Sequence, residues 1–215
     1  MQKLTARQFW KTLMKTIAFV SVKGGVGKTT LCANTAVRAA KENHPVAIMD
    51  FDAQQSLKDW WEIREAEDIE FVEQPSNKVP NVISQLTDRM SYLFIDTRGT
   101  RDDDSEAVIK HSDLVVIPTK ASPVDLKAIG PTIASCKHFN TPFVFVLNET
   151  KPNAVITTSA IQALSLNGQI AGIIGSRVNF TETFAAGQGV CEVATSKSAD
   201  EIISLWNTIK DRLNG

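Results

Sequence analysis

Ile17-Ala18-Phe19-Val20-Ser21-Val22-Lys23-Gly24-Gly25-Val26-Gly27-Lys28-Thr29-Thr30 runs from an apolar strand, through three glycines, into the opening of a helix. That order of parts decides the fold. Glycine lets the main chain turn at positive φ and bring N–H groups against an anion, and the helix that follows, Thr29 to Lys41 and rich in alanine, adds the positive end of its dipole. In this setting Lys28 reaches the β- and γ-phosphates of a nucleoside triphosphate, and the Thr29 hydroxyl ligates Mg2+. Gly24, Gly25, Val26, Gly27 and Thr30 complete the cradle. Two departures from the common GxxxxGK[ST] pattern stand out: Val22 occupies the first glycine position, and a second lysine, Lys23, precedes the glycines. A glycine-rich turn can be no more than a tight turn, but the strand-to-helix context favours the phosphate reading.

Outward from the loop, two more apolar runs end in carboxylates. They are Asp50-Phe51-Asp52-Ala53-Gln54 and Tyr92-Leu93-Phe94-Ile95-Asp96-Thr97. In an open parallel sheet, ligands sit beyond the carboxyl ends of the strands, so all three stretches are expected to meet in one crevice. A carboxylate there can hold Mg2+ through a water or orient the water that attacks a phosphate. For Asp50, a direct role is balanced against capping of the next helix, since aspartate is a favoured cap.

The rest of the chain alternates short apolar runs with helical patterns, which predicts an α/β fold of three layers: a mainly parallel, twisted sheet of about seven strands with helices on both faces. Strands are expected at Thr16–Val22, Pro45–Asp50, Ile69–Glu73, Tyr92–Asp96, Leu114–Pro118, Phe143–Asn148 and Gln169–Ile174. Helices are expected near 29–43, 55–66, 79–90, 103–111, 123–139, 153–166 and 198–213. Pro75 to Pro80 reads as a loop. Residues 14–215 read as one domain, preceded by an extension at 1–13.

The octet KGGVGKTT resembles the deviant Walker A loop of the ParA/MinD family of P-loop ATPases, and the matches to that family cover most of residues 14–214. The resemblance implies ATP and Mg2+ as cofactors. It implies that Asp52 positions and activates the attacking water and touches the metal site, and that Asp96 is the Walker B acid behind the metal. Lys23 resembles the signature lysine that reaches across a nucleotide-sandwich homodimer to the partner's phosphates. Such a cation delivered in trans would neutralise transition-state charge, so Lys23, Lys28 and Asp52 form the implied catalytic set. Val146-Leu147-Asn148 is similar to the strand end whose asparagine bonds adenine, and Gly175-Ser176-Arg177-Val178 through Gly187 to the segment closing over the base, which makes Arg177 a nucleotide-contact candidate. Ser122-Pro123-Val124-Asp125 resembles a stretch near the dimer interface. Met14-Lys15-Thr16-Ile17 resembles the usual start of the short plasmid-partition proteins. Ala53 and Thr97-Arg98-Gly99 depart from the family's usual proline positions. The implied biology is a slow ATPase that dimerises on ATP, binds DNA non-specifically, and is stimulated by a ParB-like centromere-binding partner. Two alternatives share the loop: a MinD-like membrane switch and a VirC-like accessory of conjugative DNA transfer.

Composition narrows these choices. The chain has 215 residues, 43% of them hydrophobic, enough to bury an ordinary core without staples. Its longest apolar runs, such as Phe143 to Leu147, are strand-sized, far short of the roughly 20 residues that span a bilayer. The three cysteines, Cys32, Cys136 and Cys191, are scattered singly, which suits a reducing cytoplasm rather than a disulfide or zinc framework. His44, His111 and His138 likewise fit no metal spacing. Of the net charge of −1, residues 1–15 contribute +4 through Lys3, Arg7, Lys11 and Lys15, leaving −5 for the remainder. DNA binding is therefore not announced by charge; a stripe that dimerisation would assemble from Lys15, Lys151, Arg177, Lys197, Lys210 and Arg212 is the candidate surface, and the protein would be nucleoid-associated if it serves. The basic amphipathic segment 1–13 reads either as a frayed or docked tail or as an arm on DNA or an anionic membrane. Trp60-Trp61 is expected to pack rather than stack on bases.

Overall fold

A computed structural model of the protein describes residues 14–100, 103–152 and 154–215. The basic extension at 1–13 lies outside the described residues. Seven strands, β1 (Lys15–Phe19), β2 (Val46–Asp50), β3 (Ile69–Phe71), β4 (Tyr92–Asp96), β5 (Leu114–Thr119), β6 (Phe143–Thr150) and β7 (Ile170–Gly175), form one parallel sheet in the order β3-β2-β4-β1-β5-β6-β7. Among the described residues ten α-helices accompany them: α1 (Lys28–Lys41), α2 (Ser56–Glu62), α3 (Val79–Leu86), α4 (Asp103–Lys110), α5 (Pro123–Ala128), α6 (Gly130–Phe139), α7 (Val155–Ser165), α8 (Val178–Ala185), α9 (Val190–Val193) and α10 (Lys197–Asn214).

The strands are apolar on both sides because both sides are covered. Alternate side chains of β1 part company: Ile17 and Phe19 join the core under α1, α2 and α10, while Ala18 and Val20 join the core under α3, α4, α6 and α7. Trp60 and Trp206, each at most 1% exposed, anchor the first core. The tryptophan pair therefore packs as expected: the Trp60 indole donates to the Gln188 carbonyl at 3.2 Å and that of Trp61 to the Ile69 carbonyl at 2.8 Å.

All seven expected strands are present, most within one to three residues of their predicted limits. The helices differ in three places. The single helix expected at 123–139 is two, broken between Ala128 and Gly130, because Pro131 has no N–H to continue the earlier turn and takes a first-turn position instead. The loop expected at Pro75 to Pro80 is a 3-10 turn, Ser76–Lys78, running directly into α3, with Pro80 in its first turn. And α8 and α9 were not anticipated; their short apolar patterns are interrupted by Thr and Gly, and tertiary packing, not periodicity, holds them.

Candidate nucleotide site

β1 sits between β4 and β5, where the order of strand addition reverses, and the loop leaving its carboxyl end occupies the crevice that such a reversal opens. The loop geometry is set by glycine: Gly25 has φ 70° and Gly27 φ 92°. At Gly27 any Cβ would stand 2.1 Å from the Asn148 side-chain nitrogen, so that position needs glycine twice over. Val26 is buried and pins the loop to the body, whereas Gly24 and Gly25 are exposed. No side chain caps the start of α1, which leaves its first N–H groups directed at the loop's concavity.

Lys28 is buried, its ammonium 3.5 Å from the Lys23 carbonyl oxygen. Burial pulls its pKa down, opposed by the nearby Asp96 and Asp52 carboxylates. β4 is hydrogen-bonded to both β1 and β2, with Phe19 and Asp50 each paired in register with Asp96. This register brings the two strand-end aspartates beside the loop. Thr29 Oγ1 donates to Asp96 Oδ2 at 2.6 Å, and Asp96 is fully buried. Burial raises the Asp96 pKa to about 7; the Thr29 hydrogen bond and Lys28 oppose this, and Asp50 and Asp52 add to it. Its second oxygen, Oδ1, is buried with no hydrogen-bond partner.

An orphaned carboxylate oxygen beside a threonine hydroxyl at an anion-binding helix start is what a hard divalent cation requires. Mg2+ binds through one or two carboxylates together with phosphate oxygens and waters, so a protein-only cage is not needed, and among the described residues none with three or more His, Cys, Asp or Glu occurs. Thr29 and Asp96 fit that role directly. Asp52 lies on the same side, partly exposed, accepting from the Gln54 N–H at 3.0 Å. Asp50 is otherwise engaged: its carboxylate accepts from the N–H groups of Asp52, Leu57 and Lys58, at 2.8, 2.9 and 3.2 Å. It is thus the cap of α2 and the peg of the Asp52 loop, which decides between the two readings of this residue in favour of the cap.

Lys23 points away from the phosphate concavity and makes an ion pair with Asp125 in α5, whose carboxylate also accepts from the Ser122 hydroxyl. Burial pushes the Asp125 pKa up, but Lys23 and Ser122 outweigh it and hold the carboxyl below its ordinary value. On the other flank, a cleft of about 530 Å3 adjoins the loop, lined among others by Gly27, Thr30, Asn148, Arg177, Phe180 and Phe184. Asn148 is buried and donates its side-chain N–H to the Val26 carbonyl at 2.9 Å. Arg177 is on the wall of the cleft, but its guanidinium is held by Glu201 at 2.6 and 3.2 Å, so its contact with a ligand would have to compete with that pair.

Sequence reasoning missed the two phenylalanines, which belong to the unanticipated α8, and Gly99. A Cβ at Gly99 would meet the Gly24 nitrogen at 2.8 Å, so the second strand-end loop packs against the phosphate loop only because that residue is glycine. Within one protomer, the cations expected to form a stripe across a dimer lie at both edges of the sheet. Lys15 opens β1 at the amino edge of the sheet, 4.0 Å from Asp113, and Lys210 pairs with Glu42 at that same edge, while Arg177 and Lys197 lie at the carboxyl edge. The 18 residues of α10 separate Lys197 from Arg212 by more than 20 Å, at about 1.5 Å per residue.

Comparison with known proteins bears on the same residues. The "Maintenance of carboxysome distribution protein A" of Gloeobacter kilaueensis is 34% identical over 124 residues, 55% of this chain and 55% of that protein. "Protein virC1" of Rhizobium radiobacter is 30% identical over 122 residues, 53% of this chain and 52% of that protein. The chain thus spans about half the length of these curated relatives. A putative plasmid partition protein of Borrelia burgdorferi B31, solved bound to AMPPNP, superposes with a TM-score of 0.79 at 18% identity, over 93% of this chain and 99% of that one, which establishes the fold. The model of the CobQ/CobB/MinD/ParA nucleotide binding domain matches residues 17–190, a stretch that takes in the glycine loop, both strand-end aspartates and Asn148, and the chain belongs to that family.

Proposed function

We propose that this chain is an ATP-binding and ATP-hydrolysing switch that dimerises on ATP and acts in partition of DNA, through non-specific DNA binding and a turnover stimulated by a ParB-like partner. The family's members are P-loop ATPases. The observation that carries the reading to this chain is Asp96 Oδ1: a fully buried carboxylate oxygen without a partner, next to the Thr29 hydroxyl, at the start of a helix whose loop is open to an anion.

In this reading the main-chain N–H groups from Gly24 to Thr30 and the Lys28 ammonium grip the triphosphate tail. Thr29 and Asp96 hold Mg2+, with Asp52 reaching it through water, and the ion would supply charge neutralisation at the β- and γ-oxygens. Asp52, tethered through its own N–H to Asp50, orients the attacking water. The base enters the cleft beside Asn148, with Phe180 and Phe184 as its apolar wall. Lys23 must leave Asp125 to reach a partner's phosphates, so the ion pair would hold the lysine back in the monomer. The names of the relatives extend to different cargoes, a carboxysome and a plasmid, as one fold and site can serve several tasks. A VirC-like accessory of DNA transfer is the second reading, favoured by the virC1 relative. Among the described residues no helix is long and apolar enough to cross a membrane.

Titration calorimetry of the folded protein with Mg·ATP tests the core of the proposal. Saturable binding that needs Mg2+ and is lost in Lys28→Ala is expected; no heat with native protein would remove the proposal's basis. Gel shift with ATP at two salt concentrations tests the DNA step, for which retention at low salt and its loss at high salt are expected.

A further inference from the structure

α2 begins at the end of the Asp52 loop and is capped by Asp50, the same carboxylate that holds the Asp52 N–H. Asp52 is also tied to the start of α2 directly, its carbonyl accepting from the Gln55 N–H at 2.9 Å, so a shift of α2 bears on Asp52. The far end of α2 is fixed elsewhere. Arg64, two residues past the helix, has a side chain only 2% exposed, and every one of its five N–H donors is used. It donates to the Gly187 carbonyl at 3.0 Å, to both oxygens of Glu192 at 2.9 and 2.7 Å, and to both oxygens of Asp68 at 2.9 and 3.0 Å. Its guanidinium lies over the Trp60 ring, 5.4 Å from the centroid. Glu192 in turn accepts from the Gly189 N–H at 2.7 Å.

The segment so gripped is the one that follows α8. Gly187 has φ 67°, and a Cβ there would stand 2.8 Å from the Arg64 main chain, so contact between the two segments depends on glycine. One helix back, Phe184 lines the cleft beside the phosphate loop and stacks on Trp60 at 6.1 Å. The segment is also tied to α1, since Asn34 Oδ1 accepts from the Val190 N–H at 2.8 Å. One buried cation thus joins the wall of the nucleoside cleft to the helix that follows the Asp52 loop. The sheet alone does not make this connection: β2 and β7 lie five strands apart in its order.

We propose that Arg64 is a positioning residue that couples closure of α8 on the nucleoside to the placement of Asp52 at the γ-phosphate. The inference rests on the cleft being the ATP site. Inward movement of α8 carries Gly187 and Glu192 with it, and because a bidentate guanidinium–carboxylate pair resists shear, Arg64 draws the end of α2 along. The main-chain bond from Gln55 to the Asp52 carbonyl passes that movement to Asp52. A ligand that fills the phosphate loop but not the cleft leaves the link unused.

The test compares Mg·ATP with Mg·inorganic triphosphate in the full chain, for the native protein, Arg64→Lys and Glu192→Gln. Lysine keeps the charge but not the fork; glutamine keeps the shape and weakens the grip. Since a misplacement of about 1 Å at a reacting group can cost up to about a hundredfold in rate, kcat for ATP is expected to fall at least about tenfold in Arg64→Lys and less in Glu192→Gln. The Kd for ATP should rise in both, while the Kd for inorganic triphosphate stays within about twofold, a split that general loosening of the fold would not give. If Arg64→Lys does not fold, Glu192→Gln decides alone. Equal weakening of ATP and triphosphate would overturn the inference, as would a raised ATP Kd with kcat unchanged, which would leave the cleft unconnected to Asp52. Native protein that binds no ATP would instead remove the functional reading itself.

Discussion

The phosphate half and the base half of the proposed site are built in opposite ways. The phosphate half is made of segments leaving three consecutive strands of the sheet, β2, β4 and β1, and its decisive groups are buried: Asp96 fully, Lys28 almost so. The register of β1, β4 and β2 and two positive-φ glycines dictate its shape. The base half is assembled from the end of β6, the end of β7 and α8, and its walls are a buried asparagine, a guanidinium already paired, and two phenylalanines. One half is set by the sheet; the other hangs on side-chain contacts. A set site concentrates its energy in a few groups, and a hung one spreads it, so substitutions should cost most at the loop and least at the far wall of the cleft.

Lys28→Ala should be the most damaging change. It removes the one ammonium that faces the phosphates from inside the loop, and losing a single preorganised donor to transition-state charge typically costs about 100- to 1000-fold in rate. A kcat/KM for ATP reduced by at least about a hundredfold is expected, with the melting temperature of the free protein unchanged or raised, since a buried ammonium is no longer desolvated. Asp52→Ala should follow. It should leave Mg·ATP affinity near native and lower kcat by about a hundredfold or more, the scale for a positioned base, and the ATP-bound dimer should accumulate on a sizing column. Turnover at the native rate would show that the water is oriented by another group.

This contrast also explains what could be read from the chain alone. The phosphate half is contiguous in sequence: a strand, three glycines, a lysine and a threonine are adjacent because the chemistry is performed by the main chain between one strand and one helix. Asp50, Asp52 and Asp96 were visible for a related reason, as Asp50 and Asp96 each end a strand that must end at the crevice and Asp52 follows two residues after the first of these. The base half left no such trace. Phe180 and Phe184 look like ordinary core residues, and α8 has too little apolar periodicity to stand out from loop. Even Asn148, placed by family resemblance, turns out to brace the Val26 carbonyl, a contact across 122 residues that no local pattern encodes. Lys23 was legible as a cation and not as a partner of Asp125, because ion pairing between loops depends on how far α5 leans toward β1. The cations expected to form a stripe across a dimer lie at both edges of the sheet within one chain, since spacing along the chain says nothing about which edge a residue occupies.

Asp96 offers a test of how strongly the phosphate half is set at the expense of stability. A carboxyl whose folded pKa is raised from 3.8 to about 7 holds its proton in the native state where the unfolded chain has lost it. Its contribution to stability is therefore fully present below pH 4 or so and is lost as pH rises through about 7, a difference on the order of a few kcal/mol. Asp96→Asn removes that dependence. In the nucleotide-free protein, the melting temperature of the variant relative to native should rise between pH 5 and pH 8, while Mg2+-dependent ATP binding is lost. A gap that does not change with pH would mean that the buried carboxylate is compensated by something other than its proton.

The smallest effect is expected at Arg177, and its size discriminates between two pictures of the cleft. As the structure stands, Arg177 is committed to Glu201, which also accepts from the Gly175 N–H at 3.1 Å, so the pair closes the end of β7 onto α10. If it stays committed with nucleotide bound, Arg177→Ala removes a partly exposed ion pair worth about 0–1 kcal/mol and should change the ATP Kd by no more than about threefold. Glu201→Gln should then have a similarly small effect in the same direction. If the guanidinium instead leaves Glu201 for the nucleotide, the two substitutions must diverge: Arg177→Ala would weaken ATP binding, and Glu201→Gln, by releasing the arginine, would tighten it. Opposite signs in the two Kd shifts would make the base half a site that is remade by its ligand, and equal small shifts would leave it a wall against which the nucleoside simply rests.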